Sequence, residues 1–307
     1  MRTPFRGVTS REVLLFEGSH GWAEWSPFLE YEDAEAAVWL RAALDFGFTV
    51  APKLNRMRIG INATLPAVSP EAIAATLAPF GEFSTVKIKV AEKGQSLEAD
   101  FARVTEVNRL YPHAKLRLDA NGGYGLNQAH ALIEHLAPFA KQLDYFEQPV
   151  ATLADLAKIR EFAQRRGIKV AADESIRKAT DPLEVSRLGA ADIAVIKAAP
   201  LGGIHAALEI CQDLSLPVVI SSALETSVGI SMGLHLAGAL PELSYDCGLG
   251  TVALLTSDVC ENPLVPVDGS LTVQRVAPTK ERLTALAAPA QRRAWWLNRL
   301  QNCASLL

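Results

Sequence analysis

The chain has 307 residues, 49% of them hydrophobic and 21% charged, with a formal charge of −4 and a mean hydropathy of +0.14. That balance suits a well-buried globular enzyme and excludes a disordered chain, and without a basic excess nucleic acid is not an expected partner. The four cysteines, Cys211, Cys247, Cys260 and Cys303, make no CxxC pair and no zinc-like spacing with histidine, so free thiols in a reducing cytoplasm are expected.

No basic-then-apolar leader opens the sequence, and the longest uncharged apolar run, VGISMGLHLAGAL at 228–240, is too short to span a bilayer. A cytoplasmic protein with no membrane partner is expected. Residues 1–56 have a texture of their own. REVLLFEG and GWAEWSPF read as a hairpin closed between Gly18 and Gly21, and DAEAAVWLRAALDFG as a helix stopped by Gly47. From about residue 57 a rhythm begins. Strand-like runs at MRIGINA, STVKIKV, KLRLDA, LDYFEQP, IKVAADE, DIAVIKA, PVVISSA and ELSYDCG alternate with seven helix-like segments, among them DPLEVSRLG at 181–189. Eight strands with seven intervening helices predict an α/β fold, a (β/α)7β TIM-like barrel over 57–256. The tail, 257–307, returns to strand-like text and a polar helix with Trp295 and Trp296, and is predicted to join 1–56 in an α+β capping domain.

Barrel enzymes place their chemistry where strands end at the C-terminal face. The polar residues closing the predicted strands are Lys89, Asp119, Glu147, Asp173, Lys197, Ser221 and Asp246, at intervals of 24 to 30 residues, one strand-plus-helix unit each. Their side chains can therefore converge on one axis. Three successive staves end in carboxylates behind apolar text, in LRLDAN, YFEQP and VAADES. Buried together without a cation they would repel and be driven toward protonation. Mg²⁺ or Mn²⁺ bound by Asp119, Glu147 and Asp173 removes that conflict, because hard divalent cations prefer oxygen ligands.

VKIKV at 86–90 alternates three β-branched residues with two lysines. A barrel strand buries its outer face under helices, so Val86, Ile88 and Val90 point out and Lys87 and Lys89 point in. A lysine beside a second cation has its ammonium form disfavoured and is prepared to act as a base. Lys197 enters from the other side of the ring. Two lysines across one cation suit proton abstraction next to a carboxylate, so a small-molecule carboxylate is the expected substrate.

KIK at 87–89, DAN at 119–121, EQP at 147–149, DES at 173–175 and IKAAPLGG at 196–203 resemble the enolase superfamily, and within it the muconate-lactonizing subgroup. GWAEWSPFLEY, RLDANGGY, KAAPLGG and SSALETSVG look most like the o-succinylbenzoate synthase family, which dehydrates a succinylated cyclohexadiene carboxylate to 2-succinylbenzoate in menaquinone biosynthesis. Sites of the superfamily use a lysine or histidine base with Mg²⁺ on an ene-diolate. The resemblance thus implies Lys89 as acid and base, Lys87 tuning it, and Lys197 as the cation facing the anionic intermediate. It implies substrate-binding roles for Arg117, Asn121, Ser221 and Ser222, and for Gly202 and Gly203, whose N–H groups would take the succinyl carboxylate. Phe5, Arg6 and Gly7 fall where the family carries a mobile loop over the site, though only four residues precede them. An N-acylamino acid racemase or dipeptide epimerase on the same scaffold is the alternative; the single Asp246 in SYDCG departs from the Asp-x-Asp usual in the epimerases.

His20, His113, His130 and His135 read as solvated or satisfied polar residues. His205 reads as helix surface or substrate contact, and Glu225 as substrate contact or helix cap. The sequence does not distinguish a monomer from a homo-oligomer.

Overall fold

Strand β1 (Leu14–Gly18) turns back on β2 (Gly21–Trp25) as an antiparallel hairpin with Gly18 opposite Gly21. Helix α1 (Asp33–Phe48) packs on it. The predicted stop at Gly47 is not one, because the helix runs on to Phe48. Gly47 instead marks a contact: a Cβ on Gly18 would lie 2.2 Å from the Gly47 carbonyl oxygen, and His20 donates its N–H to that same oxygen. A computed structural model describes residues 1–307.

The strand predicted over 57–63 is two strands. β3 (Arg58–Gly60) leaves the barrel to pair with a strand of the tail, and β4 (Ala63–Leu65) is the first stave. After α2 (Ile73–Leu77), β5 (Thr85–Lys89) and α3 (Leu97–Leu110) come β6 (Lys115–Asp119), α4 (Leu126–Leu136), β7 (Leu143–Glu147), α5 (Leu153–Gln164) and β8 (Val170–Ala172). Two single-turn helices follow, α6 (Glu174–Arg177) and α7 (Glu184–Arg187), in place of the longer helix expected at 181–189. Pro182 and Gly189 bracket that segment and leave room for little more than one turn. β9 (Ile193–Ile196), α8 (Ile204–Asp213), β10 (Val218–Ile220) and α9 (Ser227–Ala239) complete the rhythm.

β4 to β10 are joined in chain order into a parallel sheet. The eighth stave is not a ladder. It closes the ring through two single bridges, Ile61 to Cys247 and Ser221 to Gly248, and glycine is a weak strand former. The tail supplies β11 (Ser270–Thr272), which pairs with β3, then α10 (Lys280–Ala285) and α11 (Ala290–Ala304). Trp296 of α11 meets Trp25 edge-on at 5.2 Å, and Glu12 accepts from both Arg292 and Trp296. No helix is long and apolar enough to cross a membrane.

The pleat produces two cores. Outward residues such as Val86, Ile88, Leu118 and Phe146 are buried under the helix layer. Inside the ring, Tyr145, Ala171, Ile193, Val195 and Val219 form a separate plug against Tyr245. Two residues along a strand return to the same face. Tyr145 therefore lies beneath Glu147, Val195 beneath Lys197 and Val219 beneath Ser221, so the plug is the floor on which the polar side chains stand.

Candidate active site

Above the plug, a cavity opens at the C-terminal ends of the strands. Lys87, Lys89, Asp119, Asn121, Lys197, Ser221 and Ser222 line it, together with Arg6, Glu30, Thr64, Arg177 and Thr251. Cations outnumber carboxylates on this lining, so it favours an anionic ligand. Phe5, Val8, Phe28, Trp39 and Leu224 complete its walls, and the Phe5 ring lies 5.0 Å from Lys89 Nζ.

Register explains the convergence. Lys89, Asp119 and Glu147 are direct neighbours across β5, β6 and β7. Asp173 comes just after β8 and is held there by Gln148, whose Oε1 accepts from the N–H groups of Asp173 and Ser175. The chain bends sharply at these strand ends. Ala91, Asn121, Gln148 and Leu224, none of them glycine, all adopt positive φ, a strain typical of functional sites.

Lys89 Nζ donates to Asp119 Oδ2 and to Asn121 Oδ1, both at 2.5 Å. Lys87 Nζ lies 3.2 Å from Asp119 and 3.4 Å from Glu147. On the far side Lys197 Nζ meets Asp173 Oδ2 at 2.5 Å, and Arg177 meets Asp173 Oδ1 at 3.1 Å. Burial depresses the Lys89 ammonium below an ordinary lysine; Asp119 opposes this, and Lys87 and Arg6 add to it. Burial acts on Lys87 in the same direction, but Glu147 and Asp119 outweigh it and raise that group. Within one strand, then, the two lysines are pushed apart, Lys89 toward a base and Lys87 toward a fixed cation.

No three of the His, Cys, Asp or Glu side chains are grouped closely enough to chelate one ion as they stand. The lysines fill the gaps between Asp119, Glu147 and Asp173. Glu147 nonetheless has the character of a donor missing a cation. It is wholly buried, and the only hydrogen-bond partner of its carboxylate is Lys87, at 3.4 Å on each oxygen. Burial and the neighbouring Asp119 push it up to about 8. Three buried carboxylates on adjacent staves, one of them so poorly paired, fit a hard divalent cation in donor chemistry.

Three expected ligand contacts lie elsewhere. Arg117 points inward but one layer down, wholly buried beneath Asp119. Its guanidinium donates to Asp144, to Asn62 and to the Asp246 carbonyl and lies 4.9 Å from the Tyr145 ring. Gly202 and Gly203 face α1. A Cβ on Gly203 would strike Asp45 at 2.7 Å, and Gly203 has φ +120°, so only glycine fits. Its N–H and that of Gly202 are taken by the carbonyls of Ala198 and Ala199. The helix terminus already has its carboxylate, since Asp45 accepts from Ile204 N at 3.0 Å and pairs with His205. Asp246 also misses the cavity, accepting from Ser84 and Thr85 at the start of β5. Glu225 is buried, accepts from Ala223 N at 2.6 Å and does not line the cavity.

Arg177 was not legible as a site residue. It lies four residues after Asp173, so one helical turn brings it back beside that carboxylate, where it also donates to Glu174 and to the Tyr31 hydroxyl. The spacing Asp-x-x-x-Arg after a strand end was the available signal.

Residues 71–278 match the family model described as enolase C-terminal domain-like, and residues 1–47 the one described as enolase N-terminal domain-like. The chain belongs to the enolase class of folds. Muconate cycloisomerase from Pseudomonas fluorescens shares this fold with a TM-score of 0.73 and 20% identity, over 89% of this chain and 92% of that one. The L-Ala-D/L-Glu epimerase from Bacillus subtilis does so with a TM-score of 0.72 and 22% identity, over 87% and 89%. The o-succinylbenzoate synthase of Mycobacterium tuberculosis is 51% identical over 100% of this chain and 92% of its own length, and that of Mycobacterium ulcerans 50% over the same shares. The chain belongs to the o-succinylbenzoate synthase family.

Proposed function

We propose that the chain is a hydro-lyase that dehydrates 2-succinyl-6-hydroxy-2,4-cyclohexadiene-1-carboxylate to 2-succinylbenzoate in menaquinone biosynthesis. The observation that carries this reading is the 51% identity, over the whole chain, to the o-succinylbenzoate synthase of Mycobacterium tuberculosis, and the placement of Lys89 and Lys197 suits it. β5 and β9 are separated by three strands, so the two ammonium groups face each other across an eight-stave ring above buried carboxylates. We divide the chain into a cap, 1–56 and 257–307, and a catalytic barrel, 57–256.

Asp119, Glu147 and Asp173 would hold Mg²⁺, or Mn²⁺, which when bound supplies the positive charge that draws the substrate carboxylate and makes its α-hydrogen acidic. Lys89 Nζ takes that hydrogen as a proton, the C–H pair moves into the carboxylate, and an enediolate results. Lys197 places its cation against the anion in a site shielded from water. Lys89 Nζ then returns its proton to the departing hydroxyl. The C–O bond breaks, water leaves and the ring becomes aromatic. Asn121 Oδ1 keeps Lys89 Nζ in line between the steps, and Ser221 and Ser222 face the remainder of the substrate.

A second reading, racemisation of N-succinylamino acids, draws on the same opposition of Lys89 and Lys197, one lysine for each face of an α-carbon. One comparison separates the two: the ultraviolet change on aromatisation of the ring substrate against loss of optical activity of an N-succinylamino acid. Fast aromatisation, abolished by excess chelator and restored by Mg²⁺, with slow racemisation is the expected result. Fast racemisation with no aromatisation would replace the first reading by the second.

A further inference from the structure

Leu224 is a bulky residue at φ +65°, in the left-handed region that a γ-branched side chain adopts only when its surroundings impose it. It sits in the loop after β10, and with Ser221, Ser222 and Ala223 it forms one side of the cavity. The residue before it is held at both its N–H and its carbonyl. Glu225 accepts from the Ala223 N–H at 2.6 Å, and Arg11 donates to the Ala223 carbonyl at 3.2 Å. The residue on the other side of Glu225 is gripped too: Glu24 accepts from Thr226 N at 3.1 Å, from Thr226 Oγ1 at 2.5 Å and from Gly229 N at 3.1 Å.

Arg11 and Glu24 both come from the N-terminal section, far from this loop in sequence. They are tied to each other through Ser26, whose carbonyl accepts from Arg11 and whose hydroxyl donates to Glu24. The Arg11 guanidinium also lies 4.4 Å from the Phe28 ring, which is part of the cavity wall. Neither Arg11 nor Glu24 lines the cavity.

We propose that Arg11 and Glu24 are positioning residues for the reaction, a latch by which the N-terminal section holds the loop after β10 in its strained shape and so sets the form of the substrate cavity. Strain of this kind relaxes unless something opposes it; the barrel holds Ser222 through the Gly248 carbonyl and Thr251, and Ala223 N through Glu225, and Arg11 adds the bond to the Ala223 carbonyl next to Leu224. Removing Arg11 frees the Ala223 carbonyl and lets Leu224 move to an ordinary backbone conformation, which shifts the cavity wall without touching Lys89 or Lys197. The effect therefore falls on KM more than on kcat.

The inference rests on the dehydration reading for its assay, so kinetics are followed on whichever substrate the wild type turns over, the ring compound or an N-succinylamino acid. Failure of that reading then shows in the wild type and failure of the latch only in the variants. Arg11→Met should raise KM about tenfold and change kcat by less than about threefold, the scale of one lost charge-assisted hydrogen bond. Arg11→Lys, which keeps a charged donor, should recover part of that loss. The decisive step is to repeat Arg11→Met in a Leu224→Asn background. Asparagine has a similar shape and accepts positive φ readily, so no strain remains for Arg11 to oppose, and the penalty on KM should fall below about twofold. An unchanged KM in Arg11→Met, or an equal rise in both backgrounds, overturns the proposal. Should Arg11→Met not fold, Arg11→Lys is compared in the same two backgrounds, and equal effects overturn it equally.

Discussion

Every donor of the Arg117 guanidinium that bonds is spent on Asp144, Asn62 and a main-chain carbonyl, and aromatic rings flank it. Such a residue holds the barrel floor together and has no free face for a ligand. Removing one partner from a buried ion pair leaves the other uncompensated, so Arg117→Met should cost about 3 kcal/mol in urea unfolding while KM of the folded enzyme stays put. A raised KM with unchanged stability would return Arg117 to the substrate. Lys87, Lys89, Asp119 and Lys197 were readable as cavity residues because residue type, strand face and interval agreed on each of them, whereas Glu147 and Asp173 follow the same pattern and do not line the cavity. Arg117 shares the face of Asp119, but period two does not tell a residue at the cavity from one in the layer beneath. Arg177 escaped notice because helix geometry, not strand geometry, brings it back to the site.

At the level of elements, α1 does more than cover the barrel. Asp45, near its end, occupies the N-terminus of α8, so the Gly–Gly turn serves helix packing. Asp45→Ala should lower stability by about 1 kcal/mol, as loss of a helix cap does, and leave KM unchanged. β2 and α9 meet through Glu24, and here pH matters. Burial is the largest effect on Glu24 and pushes it up to about 7 from 4.5, with Glu225 adding and Thr226, Ser26 and Arg11 opposing. Between those two values the folded chain holds a proton that the unfolded chain has released. Glu24 therefore makes stability fall as pH rises from about 4.5 to about 7, by on the order of 3 kcal/mol. Glu24→Gln should flatten that part of the curve in thermal melts at a series of pH values; an unaltered slope would show that Glu24 is ionised in the folded chain throughout. Element boundaries were the least legible feature. One apolar run, 57–63, serves two sheets, and the split depends on the tail strand β11, some 210 residues away, which no local pattern announces. The eighth stave looks like a strand in sequence, but its glycines reduce it to two bridges.

For the molecule as a whole, the eight-fold rhythm of strands was enough to indicate a ring, and the ring fixes which side chains meet. Lys89 and Lys197 are 108 residues apart in the chain and opposed in space because β5 and β9 are the second and sixth staves. How closely the lysines pair with the carboxylates was not readable, since it depends on side-chain positions over a plug of tyrosine and valine. In the proposed dehydration, Lys89 alone performs both proton steps. The most direct measurement is the aromatisation rate of Lys89→Ala at saturating ring substrate and Mg²⁺, with circular dichroism verifying the fold. Loss of the acid and base from an otherwise intact site predicts a fall on the order of 10²–10⁴ or more. A folded Lys89→Ala enzyme that keeps more than about a tenth of the wild-type rate would contradict the account, because the barrel would then have to hold another base for the same proton.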